Sequence, residues 1–229
     1  MGTRSVGCHV RDPGLANPGE ELISRVAREM PVLLRIRERF ERERPLEGLR
    51  VSACLHVTPE TANLMITLKA GGAELALCAS NPPSTDDSVA AALATALGVR
   101  TYAIKHEDEE THCSHVATVL AYRPHLTMDG GAELVSELHG GGRLVDRVLG
   151  GTEETSTGFI RLKALGAEGV LRYPVIAVEE AVRDLSFARH ALSLEYLAGG
   201  AGLTRGVHPV PVEIERELSR RLQVVGEGV

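Results

Sequence analysis

Residues 50–80 have the sequence RVSACLHVTPETANLMITLKAGGAELALCAS, which predicts the unit from which the fold is built. The apolar run over 50–57 predicts a buried strand, and Pro59 is typical of the first turn of a helix, which extends to Lys69. A second apolar run over 73–80 predicts the next strand. A strand, a helix and a strand in close succession indicate a parallel sheet.

The alternation continues along the chain. Before residue 50, a helical pattern runs from Glu20 to Arg44, and Pro31 is expected to kink or divide it, while residues 1–18 are expected to be irregular. This pattern predicts an α/β fold, a doubly wound and mostly parallel sheet with helices on both faces. Further strands are expected over 99–104, 125–128, 145–149, 175–178 and 207–210, and helices over 85–97, 108–121, 132–138, 155–165, 179–197 and 212–222.

Composition and charge exclude several classes of function. The 229 residues, 43% of them hydrophobic, are enough for a single domain over residues 1–229. A formal net charge of -6 and the absence of Trp argue against nucleic acid as a partner. Since no signal peptide and no membrane-length apolar run is recognisable, we expect a cytoplasmic protein without a membrane partner.

Motifs for common cofactors are missing. The four cysteines form no C-x-x-C, and His139 and His190 have no partner at metal-ligand spacing, so no metal is expected. The chain also lacks G-x-G-x-x-G, G-x-x-x-x-G-K-[ST] and G-x-S-x-G, the motifs for dinucleotides, for phosphates and for a hydrolase nucleophile. The sequence therefore predicts a site for a small polar ligand, and no loop that binds a dinucleotide.

Polar side chains follow three of the predicted strands, where the next helix begins. Because open α/β sheets bind ligands at the carboxyl ends of their strands, we expect one site at this edge. The clusters are His56, Thr58, Glu60 and Thr61, then Asp129, then Glu153, Glu154 and Thr155.

Each cluster also has a structural interpretation. Thr58 is equally typical of a helix N-cap, a role that can coexist with ligand binding. Asp129 is typical of a capping residue, and Glu153-Glu154-Thr155 of an acidic first turn favoured by the helix dipole. The loop over 80–86, which contains Asn81, Ser84 and Thr85, is a rigid segment that shapes the expected pocket.

Taken in chain order, these clusters and several further segments resemble the S-adenosylhomocysteine hydrolase (adenosylhomocysteinase) family. The resemblance covers only the substrate-binding domain of that family. The match runs through nearly the whole chain and implies the fold of that domain. The matching segments are Met30-Pro31 with Arg35–Arg39, Pro45–Gly48, Cys54–Thr58, Glu60–Ala62, Ser80–Pro82 with Ser84-Thr85, Asp129–Gly131, Glu153–Gly158, Ser186-Phe187, Gly206–His208 and Pro211.

The resemblance implies roles for individual residues. Thr58 and Glu60 match residues near the adenine, and Glu154 and Thr155 match ribose contacts. His56 and Asp129 match acid/base groups near the 4′/5′ end of the nucleoside and the amino-acid tail. The resulting candidates are catalytic His56, Asp129 and Glu154, and ligand-binding Thr58, Glu60, Thr61, Asn81, Ser84, Thr85, Thr155 and His208.

The resemblance also implies that a nicotinamide-binding domain of about 150 residues, an ordinary domain size, is deleted around residues 183–186. The family's hinge Lys and Asp-Asn pair have no counterpart, and Met128 stands where the family has the first Asp of Asp-Asp-Gly. The family oxidises the ribose 3′-OH, eliminates homocysteine, adds water and reduces again. Without bound NAD that cycle cannot run.

Three functions stay open. The first is a NAD-independent lyase, cyclase or hydrolase of specialised metabolism that acts on S-adenosylmethionine or S-adenosylhomocysteine, with His56 as base and Asp129 as orienting group. The second is a non-catalytic nucleoside-binding or regulatory module, and the third is a pocket reused for a non-nucleoside biosynthetic intermediate. A homo-oligomer, a dimer, is expected because the loss of a domain exposes apolar surface.

Overall fold

The strand predicted around residues 50–57 lies inside one sheet whose paired strands are all parallel. The computed structural model describes residues 7–140, 143–178, 183–200 and 202–226. The order across the sheet is β1-β4-β3-β2-β5-β6-β7-β8. The strands are β1 (His9–Val10), β2 (Arg50–Leu55), β3 (Glu74–Ala79), β4 (Arg100–Ala103), β5 (Leu126–Asp129), β6 (Gly150–Glu153), β7 (Pro174–Ala177) and β8 (Gly206–Pro209).

Nine α-helices connect or flank these strands within the described residues, and none of them is long and apolar enough to cross a bilayer. Their starts follow local sequence rules: the Thr58 side chain accepts a hydrogen bond from Thr61 N, and Asp86 accepts from Ser88 N and Val89 N. The helices are α1 (Ala16–Ala27), α2 (Pro31–Glu43), α3 (Pro59–Ala70), α4 (Asp87–Thr95), α5 (Glu109–Ala121), α6 (Glu133–Gly140), α7 (Ser156–Ala167), α8 (Arg183–Ala198) and α9 (Val212–Gly226).

Successive residues of β2 point into two different cores. Val51, Ala53 and Leu55 join a core formed with α1, α2, α3, α4, α8 and α9. Cys54 joins a second core formed with α5, α6 and α7. Helices therefore cover both faces of a parallel sheet, and the predicted doubly wound α/β fold is confirmed.

The predicted strand over 145–149 is wrong. Residues 143–147 form a short 3-10 helix. The apolar pattern there reflects the burial of Val145 and Val148 in the second core and not a strand. The strand lies at Gly150–Glu153 instead. A Cβ atom at Gly151 would lie 2.3 Å from Thr127 Oγ1, so glycine permits a close approach of β6 to β5 that the apolar pattern does not reveal.

The amino-terminal expectations are partly corrected. Pro31 does divide the long helical pattern, since α1 ends at Ala27 and α2 begins at Pro31. The region expected to be irregular contains β1 and the start of α1, because β1 pairs with β4 at the edge of the sheet. Residues 1–6 lie outside the described part.

The expected domain deletion falls at the start of α8. Residues 179–182, just before it, lie outside the described residues. The Asp184 carboxylate accepts hydrogen bonds from Val32 N and Leu33 N, both at 2.9 Å. Asp184 therefore joins the first turn of α8 directly to the first turn of α2.

Candidate functional site

The candidate site lies where the strand order changes direction. Chain order runs from β2 to β3 and β4 on one side, and from β5 to β6, β7 and β8 on the other. His56 follows β2, Gly130 follows β5, and Glu154 follows β6 beside it. Open α/β sheets bind ligands at this position, outside the carboxyl ends of the strands. We call it the β2/β5 crevice.

Gly130 lies at the centre of the crevice. A Cβ atom at Gly130 would lie 3.0 Å from Glu154 Oε1 and 3.3 Å from Ser80 Oγ. The carboxylate of Glu154, which follows β6, and the hydroxyl of Ser80, which follows β3, therefore both lie close to the backbone of Gly130, where no side chain separates them. Ser80 Oγ is buried and has no hydrogen-bond partner among the described residues. Because buried polar atoms are rarely left without partners, Ser80 is a candidate ligand contact.

Ser80 was missed as a site residue by sequence reasoning, which treated its loop only as a pocket wall. The available signal was its place directly after β3, at the same edge as the other clusters. Thr85, a predicted ligand-binding residue, shows the same feature: it is fully buried and its Oγ1 has no partner within the described chain. Asn81, predicted with it, is exposed.

The His56 ring has a defined orientation. Its Nδ1 lies 3.0 Å from Ser84 Oγ, and the same hydroxyl donates to Asn81 O at 2.8 Å. Since a hydroxyl has one proton to donate, Ser84 Oγ accepts from His56, which places the ring proton on Nδ1. The other nitrogen, Nε2, is then the one that can accept a proton.

The start of α3 carries three predicted ligand-binding residues, of which Thr58 and Glu60 are predicted near the adenine. Thr58 Oγ1 accepts from Thr61 N at 3.4 Å, so the capping interpretation of Thr58 is confirmed. Thr61 is 2% exposed, whereas Thr58 and Glu60 are half-buried at the edge of the sheet. Their contact with a ligand stays a prediction.

Asp129 caps α6. It has no exposed surface, and its carboxylate accepts from Leu134 N at 2.9 Å and Val135 N at 3.2 Å. Burial raises the pKa of Asp129 well above its usual range, and the charge of Glu153 acts in the same direction, while the two backbone N–H groups oppose the shift. The structure therefore commits both oxygens of this predicted catalytic residue to the backbone.

Glu153 holds the glycine loop in place. Its carboxylate accepts from Gly131 N at 2.9 Å, Ala132 N at 2.7 Å and Thr155 N at 2.8 Å. It also accepts from Thr155 Oγ1 at 2.7 Å, while the same hydroxyl accepts from Gly158 N and caps α7. Burial raises the pKa of Glu153, and the hydrogen bonds from Thr155 and the loop oppose that shift.

Glu154 is the carboxylate that faces the crevice. Its side chain is 24% exposed, and its Oε2 lies 3.4 Å from Nε2 of the fully buried His190. His190 Nδ1 lies 2.9 Å from Thr152 Oγ1. Sequence reasoning assigned no role to His190, because it lies on α8, far along the chain from the residues that it contacts.

His208 is not brought together with the other predicted residues. It lies on β8, three strands away from Asp129, and its Nε2 is 2.7 Å from Thr204 O. It lines a separate cavity of about 780 Å³, together with Arg189 and Glu215. The sequence match at Gly206–His208 thus corresponds to a distant part of the sheet.

Comparisons with known proteins identify related sequences. The chain matches the family model for S-adenosyl-L-homocysteine hydrolase over residues 7–148. It is 49% identical to an adenosylhomocysteinase of Aquifex aeolicus over 191 residues, which make up 83% of this chain and 44% of that protein. It is 50% identical to an adenosylhomocysteinase of Sulfolobus acidocaldarius over 178 residues, 78% of this chain and 42% of that protein.

A third relative bears a different name. The chain is 49% identical to an S-inosyl-L-homocysteine hydrolase of Methanopyrus kandleri over 173 residues, 75% of this chain and 41% of that protein. The chain therefore spans less than half the length of each of these relatives. Since the family model covers more than half of this chain, the protein belongs to the S-adenosyl-L-homocysteine hydrolase family.

Proposed function

We propose that this chain binds an S-adenosyl ligand, S-adenosylmethionine or S-adenosylhomocysteine, in the β2/β5 crevice and catalyses a non-redox reaction on it. The observation that carries this proposal is the convergence of Glu154 Oε1 and the unpartnered Ser80 Oγ at Gly130. A carboxylate and a hydroxyl beside bare backbone suit the hydroxyls of a ribose. The names of the relatives, adenosyl and inosyl homocysteine hydrolases, support a nucleoside thioether as the ligand class.

The proposed chemistry needs a base and an oriented substrate. In S-adenosylmethionine, a C–S bond of the sulfonium breaks with its electron pair staying on sulfur, and a neutral thioether leaves. Elimination or intramolecular displacement therefore requires only proton removal by a base and alignment of the reacting atoms. His56 would supply the base through Nε2, because Nδ1 is engaged by Ser84. Asp129 would act as the orienting group, since it holds the start of α6, which follows the glycine loop. We propose that this reaction belongs to specialised metabolism.

The crevice residues do not fit a dinucleotide pyrophosphate. Such a group binds the free N–H groups at a helix N-terminus. At the start of α6, Asp129 and Glu153 already accept from the backbone N–H groups of residues 131, 132, 134 and 135. This supports the proposal that the chain does not bind NAD itself. We place the proposed deletion of the nicotinamide domain around residues 183–186, at the start of α8, where Asp184 contacts α2.

A non-catalytic nucleoside-binding or regulatory module is the second candidate function. It is favoured by Asp129, which has no exposed surface and no carboxylate oxygen without a partner. A module of this kind needs the contacts of Glu154 and Ser80 but no base. Turnover therefore distinguishes the two functions.

The first experiment is calorimetric titration with S-adenosylmethionine, S-adenosylhomocysteine, adenosine and NAD, followed by mass spectrometry of incubated mixtures. We expect micromolar binding of an adenosyl ligand, no binding of NAD, and a product that His56→Gln forms at least about 100-fold more slowly. Binding without a product would favour the regulatory module. No binding of any nucleoside would sink the proposal and leave a pocket reused for a different substrate.

Substitution of Glu60 tests whether the site recognises adenine. If its carboxylate accepts from the amino group of adenine, Glu60→Gln weakens adenosine binding about tenfold but leaves inosine binding unchanged, because inosine lacks that group. Calorimetry with both nucleosides measures the difference. Glu109→Gln, at an exposed position in the first turn of α5, is the matched control. Equal losses for the two nucleosides would show that Glu60 does not read the base.

A further inference from the structure

His190 is completely buried, yet its imidazole bridges two residues of the site edge. It belongs to α8, which packs on β6. Nδ1 lies 2.9 Å from Thr152 Oγ1, and Nε2 lies 3.4 Å from Glu154 Oε2. Within the described residues, Nε2 forms no hydrogen bond of normal geometry. Catalytic hydrogen bonds are often long in ligand-free structures and tighten when the ligand binds.

The surroundings of His190 favour one tautomer. A neutral imidazole has a single N–H. A proton on Nδ1 would leave the lone pair of Nε2 facing a carboxylate oxygen, and two facing acceptors repel each other strongly in a buried place. If the Thr152 hydroxyl instead donates to Nδ1, the proton lies on Nε2 and points at Glu154.

The two oxygens of Glu154 then have different tasks. Oε2 faces His190, while Oε1 faces Gly130 and the crevice. We infer that His190 is a positioning residue that holds Glu154 through Nε2–H, so that Oε1 is presented to the ligand in a fixed direction. This inference rests on the proposed function, because it assumes that Glu154 contacts a nucleoside. Ordering the carboxylate in advance lowers the entropic cost of binding.

A series of substitutions tests the direction of the contact, with adenosine as the probe. His190→Gln places an amide nitrogen near the position of Nε2 and keeps its adenosine affinity within about threefold of wild type, whereas His190→Asn reaches only towards Thr152 and loses about tenfold or more. Arg189→Gln is the control, because that neighbouring side chain pairs with Glu215 of α9. Equal affinity for the Asn variant and wild type, or equal losses for Gln and Asn, would overturn the inference.

A double-mutant cycle separates positioning from packing. If His190 acts through Glu154, then His190→Asn has no further effect on adenosine affinity in a Glu154→Gln background. A loss of the same size in both backgrounds would show that His190 only fills space. The unfolding free energy of each variant is measured alongside, so that a general loss of structure is recognised.

NMR of the imidazole nitrogens tests the tautomer without any ligand. We expect the neutral Nε2–H form for His190 in the wild type, and a shift away from it in Thr152→Val. A predominant Nδ1–H form would overturn the inference. Because this measurement needs no nucleoside, it tests the Nε2–H contact between His190 and Glu154 even if the wild type binds no adenosine, a result that would count against the proposed function.

Discussion

Ser52 and Ser80 are two buried or partly buried serines with opposite hydrogen bonding. Ser52 Oγ donates to Val119 O at 2.6 Å, whereas Ser80 Oγ, beside Gly130, has no partner in the described part of the chain. The first contact serves stability. A buried hydroxyl without a partner costs free energy, which is a reason to connect the second one with binding.

Substitution of both serines tests this contrast. Ser80→Ala is expected to leave the free energy of unfolding unchanged or raise it, and to weaken binding of the adenosyl ligand by about three- to tenfold. Ser52→Ala is expected to lower the free energy of unfolding by about 1 kcal/mol without affecting the ligand. Urea unfolding and calorimetry measure the two quantities. A destabilised Ser80→Ala protein with normal affinity would contradict the assignment.

The buried carboxyl of Asp129 predicts a pH dependence of stability. Its pKa is higher in the folded chain than in the unfolded one, mainly through burial. Such a group favours folding fully below its unfolded pKa, and this contribution is lost as the pH rises through the folded pKa. Relative to Asp129→Asn, the wild type is therefore expected to lose about 1.4 kcal/mol of unfolding free energy per pH unit between those two pKa values.

Urea unfolding from about pH 4 to about pH 8 measures this difference, and a pH-independent difference would contradict it. Asp108 is the control with the opposite sign. Hydrogen bonds from Thr111 lower its pKa. Relative to Asp108→Asn, the wild type should lose stability as the pH falls through the folded pKa of Asp108, instead of as it rises.

Among the elements, β6 has a sequence that is unusual for a strand, Gly150-Gly151-Thr152-Glu153. Its two glycines allow β6 to lie close to neighbouring side chains: a Cβ at Gly150 would be 2.7 Å from Leu197 Cδ2, and one at Gly151 2.3 Å from Thr127 Oγ1. This close approach places Glu153 and Glu154 at the edge of the sheet beside Gly130. The position of β6 thus determines the geometry of the site.

Gly151→Ala is expected to lower the free energy of unfolding by about 1–3 kcal/mol, because the added methyl group has no room. Gly166→Ala on α7 is the matched control, since nothing lies within 4 Å of its Cβ position. That change is expected to be neutral or stabilising. Thermal or urea unfolding compares them, and similar effects of the two substitutions would refute the packing argument.

The link between α8 and α2 is a second property of the elements. Asp184 is 9% exposed and accepts two backbone N–H groups at the start of α2. Asp184→Ala is expected to cost about 1–2 kcal/mol of unfolding free energy, because two N–H groups lose their acceptor. Asp12→Ala removes an exposed cap from Gly14 N and is expected to cost less. Equal costs in urea unfolding would show that burial of this contact is unimportant.

For the whole molecule, the central prediction is a dimer. Large apolar side chains are exposed on several elements: Ile160 is 70% exposed, Val212 54% and Leu149 46%. If a domain is absent, as proposed, such surface favours contact with a second copy. Light scattering after size exclusion is expected to give twice the mass of one chain. A monomer at about 100 μM, a concentration well above the Kd of a stable dimer, would contradict the prediction.

The amino-acid sequence alone determined the type and order of nearly all the elements in the described chain. Apolar runs, prolines such as Pro31 and Pro59, and capping residues such as Thr58 act locally, over one turn or one strand, so their pattern is visible in the sequence. The motifs around His56 and Glu154 identified the family and the edge of the sheet where they lie. The strand at Gly150–Glu153 escaped this reasoning, because its glycines are explained only by neighbours from other elements.

Only the tertiary structure decided how each polar side chain is used. It separated Glu154, which faces the crevice, from Glu153 and Asp129, which bind the backbone. It also added Ser80 and His190 to the surroundings of Gly130 and placed His208 on a distant strand. The physical reason is that hydrogen bonds and burial depend on distances between residues far apart in the chain, which no local sequence pattern records.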